Sequence, residues 1–328
     1  MDFQEKINIE LNYSPCKLKS CSFGNYISDK EIELFITGSN ESKTKSFLHY
    51  FTRNLSSTSD SDFHQKKEKT FLFQTWNYTP SKIINNIIPI RLSESNSNYN
   101  LSDGAFLFSS QLELLVLNNN NNNNYNQYLV DDELYTKPLI EKDLIYGLIS
   151  NIGLKIFDLN KKETKSIIYP GKKHIINDYI SSYDNKNIIF VCEDRKIYLY
   201  DKTDQKSFIS HPQKMELNLI CEASQDEKKF YAYSDSEYCL YLYDIRKFNQ
   251  FVDIIKRDVE ITKMLYNKLY DKLFFLEFCS QGIISLDNLN QECIFEVDKD
   301  IKDFGFQLNN NLMNLILEDN SVNIININ

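Results

Sequence analysis

The chain has 328 residues, of which 42% are hydrophobic and 13% aromatic, with 21 Tyr and 22 Phe against a single Trp. This is enough apolar material for a sizeable core, and aromatic richness favours pleated strands over helices. The formal charge of −9 excludes broad binding to a phosphate backbone, which needs clustered Lys and Arg, so no nucleic-acid partner is expected.

The opening residues "MDFQEKINIE" are acidic and lack an apolar h-region, so no secretory signal is expected. No apolar run approaches the ~20 residues that cross a bilayer, so no direct membrane insertion is expected. The seven cysteines are odd in number and form no CxxC pair, which points to reduced thiols in a cytosolic or nuclear compartment.

Taken in chain order, residues 5–11 ("EKINIEL") alternate polar and apolar and have no strand partner nearby. Residues 12–130 hold eight strand candidates in two groups of four. The first group is "KLKSCSF", "IELFITG", "SFLHYF" and "TFLFQTW"; the second is "KIINNIIPI", "AFLFSS", "LELLVL" and "NQYLV". Low-complexity stretches near 53–69, 93–100 and 118–127, the last with seven consecutive asparagines at 118–124, fall between these candidates and are expected to be solvated loop insertions.

A third group begins near Leu134 and contains "DLIYGLIS", "GLKIFDL" and "KSIIY". The next is "HIINDYISS", "KNIIFVCE", "KIYLYD" and "KSFIS"; then "MELNLICE", "KKFYAYS", "YCLYLYD" and "QFVDII"; then "VEITKMLYN", "KLFFLEF", "GIISLD" and "CIFEV". "DIKDFGFQL", "NLMNLILE" and "SVNIININ" supply three final strands.

The third strand of four successive groups ends in an aspartate, and Asp158, Asp201, Asp244 and Asp287 follow one another at a constant interval of 43 residues. That spacing, with a strand ending aromatic-Asp, resembles the WD-repeat family, whose repeat of roughly 40–45 residues forms one four-stranded propeller blade. The family's Trp is replaced here by Phe157, Tyr200, Tyr243 or Leu286. The resemblance implies an all-β fold: a single seven-bladed WD-repeat β-propeller spanning 1–328, with the last blade closed by the N-terminal strand 5–11. Six blades result if residues 52–100 pair differently. Closure would remove two open sheet edges.

Candidate chemistry is sparse. The four histidines are His49, His64, His174 and His211. His49 reads as a strand residue and His64 as a solvated loop residue. His174 and His211 are expected just before the first strand of a blade, where the WD-repeat family uses His in a structural network with a turn Asp, a Ser/Thr and the Trp. Here the Trp is absent and Cys192 stands near the Ser/Thr place. The eight glycines form no GxGxxG or GxxxxGK loop, and no GxSxG elbow occurs. No catalytic site, cofactor, metal or small-molecule substrate is therefore expected. The cysteines, Cys239 and Cys279 among them, read as small core hydrophobes.

Tyr243, Asp244 and Arg246 form "YDIR", similar to the WDxR signature of propellers that dock on a cullin-RING ligase adaptor, and are candidate protein-binding residues. The same residues can instead be a turn salt bridge. A second resemblance lies in "LFITGSNESKTKSFLHYF" (34–51), similar to the opening blade of the small WD-repeat nucleoporin family of the Y-shaped nuclear pore complex, although Asn40 stands where that family tends to carry Trp. It implies a non-enzymatic scaffold subunit of a large complex at the nuclear envelope, docked on helical-solenoid nucleoporins and supporting nucleocytoplasmic transport. The alternatives are a substrate receptor of a cullin-RING ubiquitin ligase or another WD-repeat complex subunit in the cytoplasm.

Overall fold

The computed structural model describes residues 6–9, 16–23, 31–40, 46–54, 71–76, 86–90, 103–108, 112–117, 125–133, 135–141, 143–170, 174–182, 186–204, 208–223, 228–247, 249–267, 269–287, 290–306, 312–319 and 322–326. Every regular element among them is a β-strand. The chain forms two units, residues 136–301 and the remainder.

In the first unit β1 (Lys6–Ile9) precedes β2 (Cys16–Phe23), β3 (Glu31–Asn40), β4 (Ser46–Asn54) and β5 (Phe71–Trp76). A second sheet follows: β6 (Asn86–Ile90), β7 (Asp103–Phe108), β8 (Leu112–Leu117) and β9 (Tyr125–Asp131). The second unit carries β10 (Thr136–Glu141), β11 (Leu144–Ile149), β12 (Gly153–Asp158) and β13 (Glu163–Ile168), then β14 (Ile176–Ser181), β15 (Asn187–Cys192), β16 (Lys196–Asp201) and β17 (Phe208–Pro212). Its other two sheets are β18 (Leu219–Glu222), β19 (Lys229–Ser234), β20 (Cys239–Asp244) and β21 (Phe251–Lys256), and β22 (Ile261–Asn267), β23 (Lys272–Glu277), β24 (Gly282–Asp287) and β25 (Asn290–Glu296). The chain returns to the first unit with β26 (Ile301–Phe306), β27 (Leu312–Leu317) and β28 (Val322–Asn326).

Each sheet is four-stranded, and its neighbours follow in sequence order except in one. There β1 lies outside β28, antiparallel, with Lys6 opposite Ile325 and Ile9 opposite Val322.

The aspartates that mark the 43-residue interval share a local role. The aspartate that ends the third strand accepts the backbone N–H two residues on: Asn160 donates to Asp158 Oδ1 at 3.0 Å, Thr203 to Asp201 at 2.7 Å and Arg246 to Asp244 at 2.8 Å. An Asx turn of this kind reverses the chain towards the outer strand. The hairpins at the other end need left-handed residues. Ser150 and Asn151 take φ of 50° and 54°, Arg195 58°, Tyr238 51° and Cys279 52°, with no glycine among them.

The four sheets of the second unit pack face to face in chain order. Tyr146, Leu154 and Ile156 share one core with Tyr179, Phe190 and Tyr198 of the next sheet. Ile189, Val191 and Ile197 then pack with Phe230, Tyr241 and Tyr243, and Tyr231, Tyr233 and Leu240 with Met264, Leu273 and Phe275. The middle strands are therefore buried on both faces, as β15 and β19 show, whereas the fourth strands β13 and β21 are largely exposed. First strands lie side by side, β14 against β18 and β18 against β22. This is a propeller-like arrangement of antiparallel sheets.

Several expectations are corrected. His211 lies inside β17, opposite Ile197, and not before a first strand; only His174 stands there, because β18 begins eight residues after His211 whereas β14 begins two after His174. Cys279 is exposed in a turn, since its left-handed backbone leaves the strand before the side chain can enter the core. Cys192, Cys221 and Cys239 are buried. β9 starts at Tyr125, within the stretch 118–127. His49 lies in β4. His64, the asparagines 118–124 and residues 93–100 lie outside the described residues.

Candidate functional site

The corner after β20 carries the sequence-marked residues. Tyr243, the penultimate residue of β20, is fully buried. Its ring stacks on Phe230 with centroids 5.2 Å apart and meets Phe251 edge-on at 6.4 Å. Its hydroxyl donates to Gln213 Oε1 at 2.9 Å, which satisfies the polar end of an otherwise apolar side chain.

Asp244 is also buried, and Arg246 closes on it as a fork. Arg246 Nε donates to Asp244 Oδ1 at 2.9 Å and Nη2 to Oδ2 at 2.6 Å, alongside the backbone bond of the turn. This charge-assisted pair holds the Asp244 carboxyl well below the usual range, at about 2. The Arg246 side chain is 63% exposed. Of the three residues, then, only Arg246 presents itself to solvent, and it does so as the outer half of a turn salt bridge.

A second cluster gathers around Asp194. Asp194, in the turn between β15 and β16, accepts the Tyr198 hydroxyl at 2.7 Å on Oδ2. Lys196 Nζ stands 3.1 Å from that oxygen and His174 Nε2 3.6 Å from it. Tyr198, two residues before the position expected for Trp, supplies the hydroxyl that joins strand to turn. Burial pushes the neighbouring Cys192 thiol up to about 12, so it stays protonated and packs as a small hydrophobe.

The third cluster links first strands of consecutive sheets. Lys137, a left-handed residue at the bulge of β10, places Nζ 3.0 Å from Asp178 Oδ1 on β14 and also donates to the Asn177 carbonyl. Asp178 Oδ2 accepts Ile220 N–H of β18 at 3.1 Å. Asn177 Nδ2 donates to Glu216 Oε1 and to the Leu217 carbonyl, both at 2.9 Å. Burial raises the Asp178 carboxyl above its ordinary value, against the pull of Lys137.

These strands border a cavity of about 990 Å³ lined by Lys137, Glu141, Tyr146, Tyr179, Lys202 and Glu222 among others. Lys202 Nζ is 2.5 Å from Glu141 Oε2 and 2.8 Å from Ser181 Oγ, and it sits 5.0 Å above the Tyr146 ring. Lys202 and Glu141 therefore form a tie between sheets across the cavity wall. Among the described residues, no three His, Cys, Asp or Glu side chains converge as a metal ion would require, and no helix is long and apolar enough to cross a membrane.

Sequence reasoning missed the exposed aromatic residues. "YCLYLYD" and "KLFFLEF" were both expected to be wholly strand, yet Tyr238 and Phe278 sit in turns at 44% and 60% exposure. The available signal was the absence of glycine from "SDSEY" and "EFCSQ", which forces other residues into left-handed backbone. On the outer strand β21, Phe251, Val252 and Ile254 are exposed as well.

No family model matches the chain, and no curated protein matches it.

Proposed function

We propose that the chain is a non-enzymatic protein–protein interaction scaffold, built as a closed seven-bladed propeller of the WD-repeat type in which β1 completes the last blade. The observation that carries this reading is a contrast on one rigid framework. Charged side chains are tied into the fold as Arg246–Asp244, Lys137–Asp178 and Lys202–Glu141, while large apolar side chains such as Phe278, Val252 and Ile254 stand uncovered. Uncovered aromatic and aliphatic groups on a rigid frame are what a partner protein buries.

Within that class, the proposed role is a structural subunit of the Y-shaped nuclear pore complex at the nuclear envelope, contacting helical-solenoid partners. The supporting feature is the stretch Phe35 to Phe51, which spans the β3–β4 hairpin with Phe35 opposite Tyr50 and Ser39 opposite Ser46. Affinity purification of the tagged chain with mass spectrometry, together with imaging, tests it. Co-purification with a large assembly and a nuclear rim signal are expected. A diffuse protein that purifies alone overturns it.

A second reading, the substrate receptor of a cullin-RING ligase, is favoured by the exposure of Arg246 next to Asp244. It predicts that Arg246→Ala abolishes co-purification with the ligase adaptor.

A further inference from the structure

Two hairpin turns that present exposed aromatic side chains are bridged by one backbone segment. Tyr238 belongs to the turn between β19 and β20, and Phe278 to the turn between β23 and β24. The segment 257–260 runs from one to the other: Arg257 N–H donates to the Tyr238 carbonyl at 2.7 Å, and Phe278 N–H donates to the Glu260 carbonyl at 2.8 Å. Val259, between those two bonds, is 40% exposed. Tyr238, Val259 and Phe278 are thus three exposed apolar residues strung along one hydrogen-bonded stretch of backbone.

The surroundings are acidic. Glu237, Asp258 and Glu260 are exposed and Asp235 is half-buried. The cation of the connecting segment is already engaged, since Arg257 Nε and Nη2 each lie 2.7 Å from Glu277 Oε1 and the guanidinium sits 5.4 Å over the Phe275 ring. Burial, and then the charges of Glu260 and Glu216, push the Asp235 carboxyl up.

Both turns share the left-handed backbone of the other hairpins at this end. Tyr238 holds φ of 51° and the residue after Phe278, Cys279, holds 52°. A left-handed L-residue costs roughly 1–2 kcal/mol.

We infer that the surface formed by Tyr238, Val259 and Phe278 docks a short, extended, basic segment of a partner protein, one that brings Lys or Arg together with an aliphatic anchor. The anchor covers Val259 and the ring faces. The cations meet Glu237, Asp258 and Glu260 and stack on the exposed rings. This names the partner chemistry for the scaffold reading above and rests on it.

The test is fluorescence anisotropy on the full chain with a labelled synthetic peptide alternating lysine and leucine, beside two counterparts, one with glutamate for lysine and one with serine for leucine. Saturable binding is expected for the first alone, weakening as salt rises. Phe278→Ser and Glu260→Lys should each weaken it by about ten-fold or more, with unchanged thermal melting. Glu163→Lys, the same charge change on the exposed strand β13, should leave binding unchanged. Absence of binding, equal binding of the glutamate peptide, wild-type affinity in both surface variants, or equal loss in Glu163→Lys overturns the site. Co-purification of a large assembly despite such a result would discard the docking surface and keep the scaffold.

Discussion

Lys137 and Asp178, on the first strands of consecutive sheets, meet at 3.0 Å with the carboxylate mostly covered and the ammonium partly exposed. The pair ties β10 to β14, and the other Asp178 oxygen ties β14 to β18. Lys137→Met leaves a buried charge without its cation and should lower stability by about 2–4 kcal/mol. Asp178→Asn keeps an acceptor for Ile220 N–H and should cost far less; urea unfolding of both variants checks the order.

The same carboxyl gives a pH dependence of definite sign. Its folded value is raised, so the native state holds the proton longer than the unfolded chain does. The contribution of Asp178 to stability is largest below the ordinary carboxylate range and falls as pH rises through the raised value. The melting temperature of Asp178→Asn relative to wild type should therefore climb between mildly acidic and neutral pH. A constant difference would refute this.

Asp244 behaves oppositely. Its carboxyl is held down at about 2 by Arg246, so its contribution is complete above the ordinary carboxylate range and is lost as pH falls towards that value. Arg246→Ala should melt below wild type at neutral pH and converge with it near pH 2, as far as the fold persists there. Asp244→Ala removes both the turn acceptor and the pair and should cost about 1–2 kcal/mol. Thermal melts across an acid series measure both effects.

Tyr243 is a core residue with one satisfied hydroxyl. Tyr243→Phe strands Gln213 Oε1 and should cost about 1 kcal/mol, whereas Tyr243→Ala empties a site bounded by Phe230, Tyr241 and Phe251 and should cost about 3–5 kcal/mol. If Tyr243→Ala unfolded no more easily than Tyr243→Phe, the stacked packing would be misassigned.

Deleting residues 1–11 removes β1 and exposes the edge of β28. An open edge invites pairing with other chains, so lower solubility and a lower melting temperature are expected. Unchanged light scattering and melting would count against the closure.

Much of the second unit was legible because its repeated chemistry is local. An aspartate closing the third strand makes its own turn, so it recurs wherever the strand does. β10 was harder to see, since Pro138 and the left-handed Lys137 interrupt its alternation within a bulge. His211 was misplaced because the link from fourth strand to next first strand varies in length, so equal repeat spacing does not put equal residues at equal places. The Lys137–Asp178 tie joins residues of different sheets, and no pattern within one repeat encodes it. Tyr238 and Phe278 look like strand aromatics among many others until the left-handed turns expose them.

The pairing of β1 with β28 also orders the assembly of the chain. Every other sheet is one contiguous stretch, so its strands can pair as soon as that stretch has left the ribosome. The sheet that holds β1 cannot be completed until β28 is available, after nearly everything between has been made. Until then β1 is an unpaired strand and β28 does not exist to receive it. A stall in translation anywhere from β2 to β27 therefore leaves a chain whose finished sheets are sound and whose last one is open, which is the state most exposed to capture by a chaperone or by another chain.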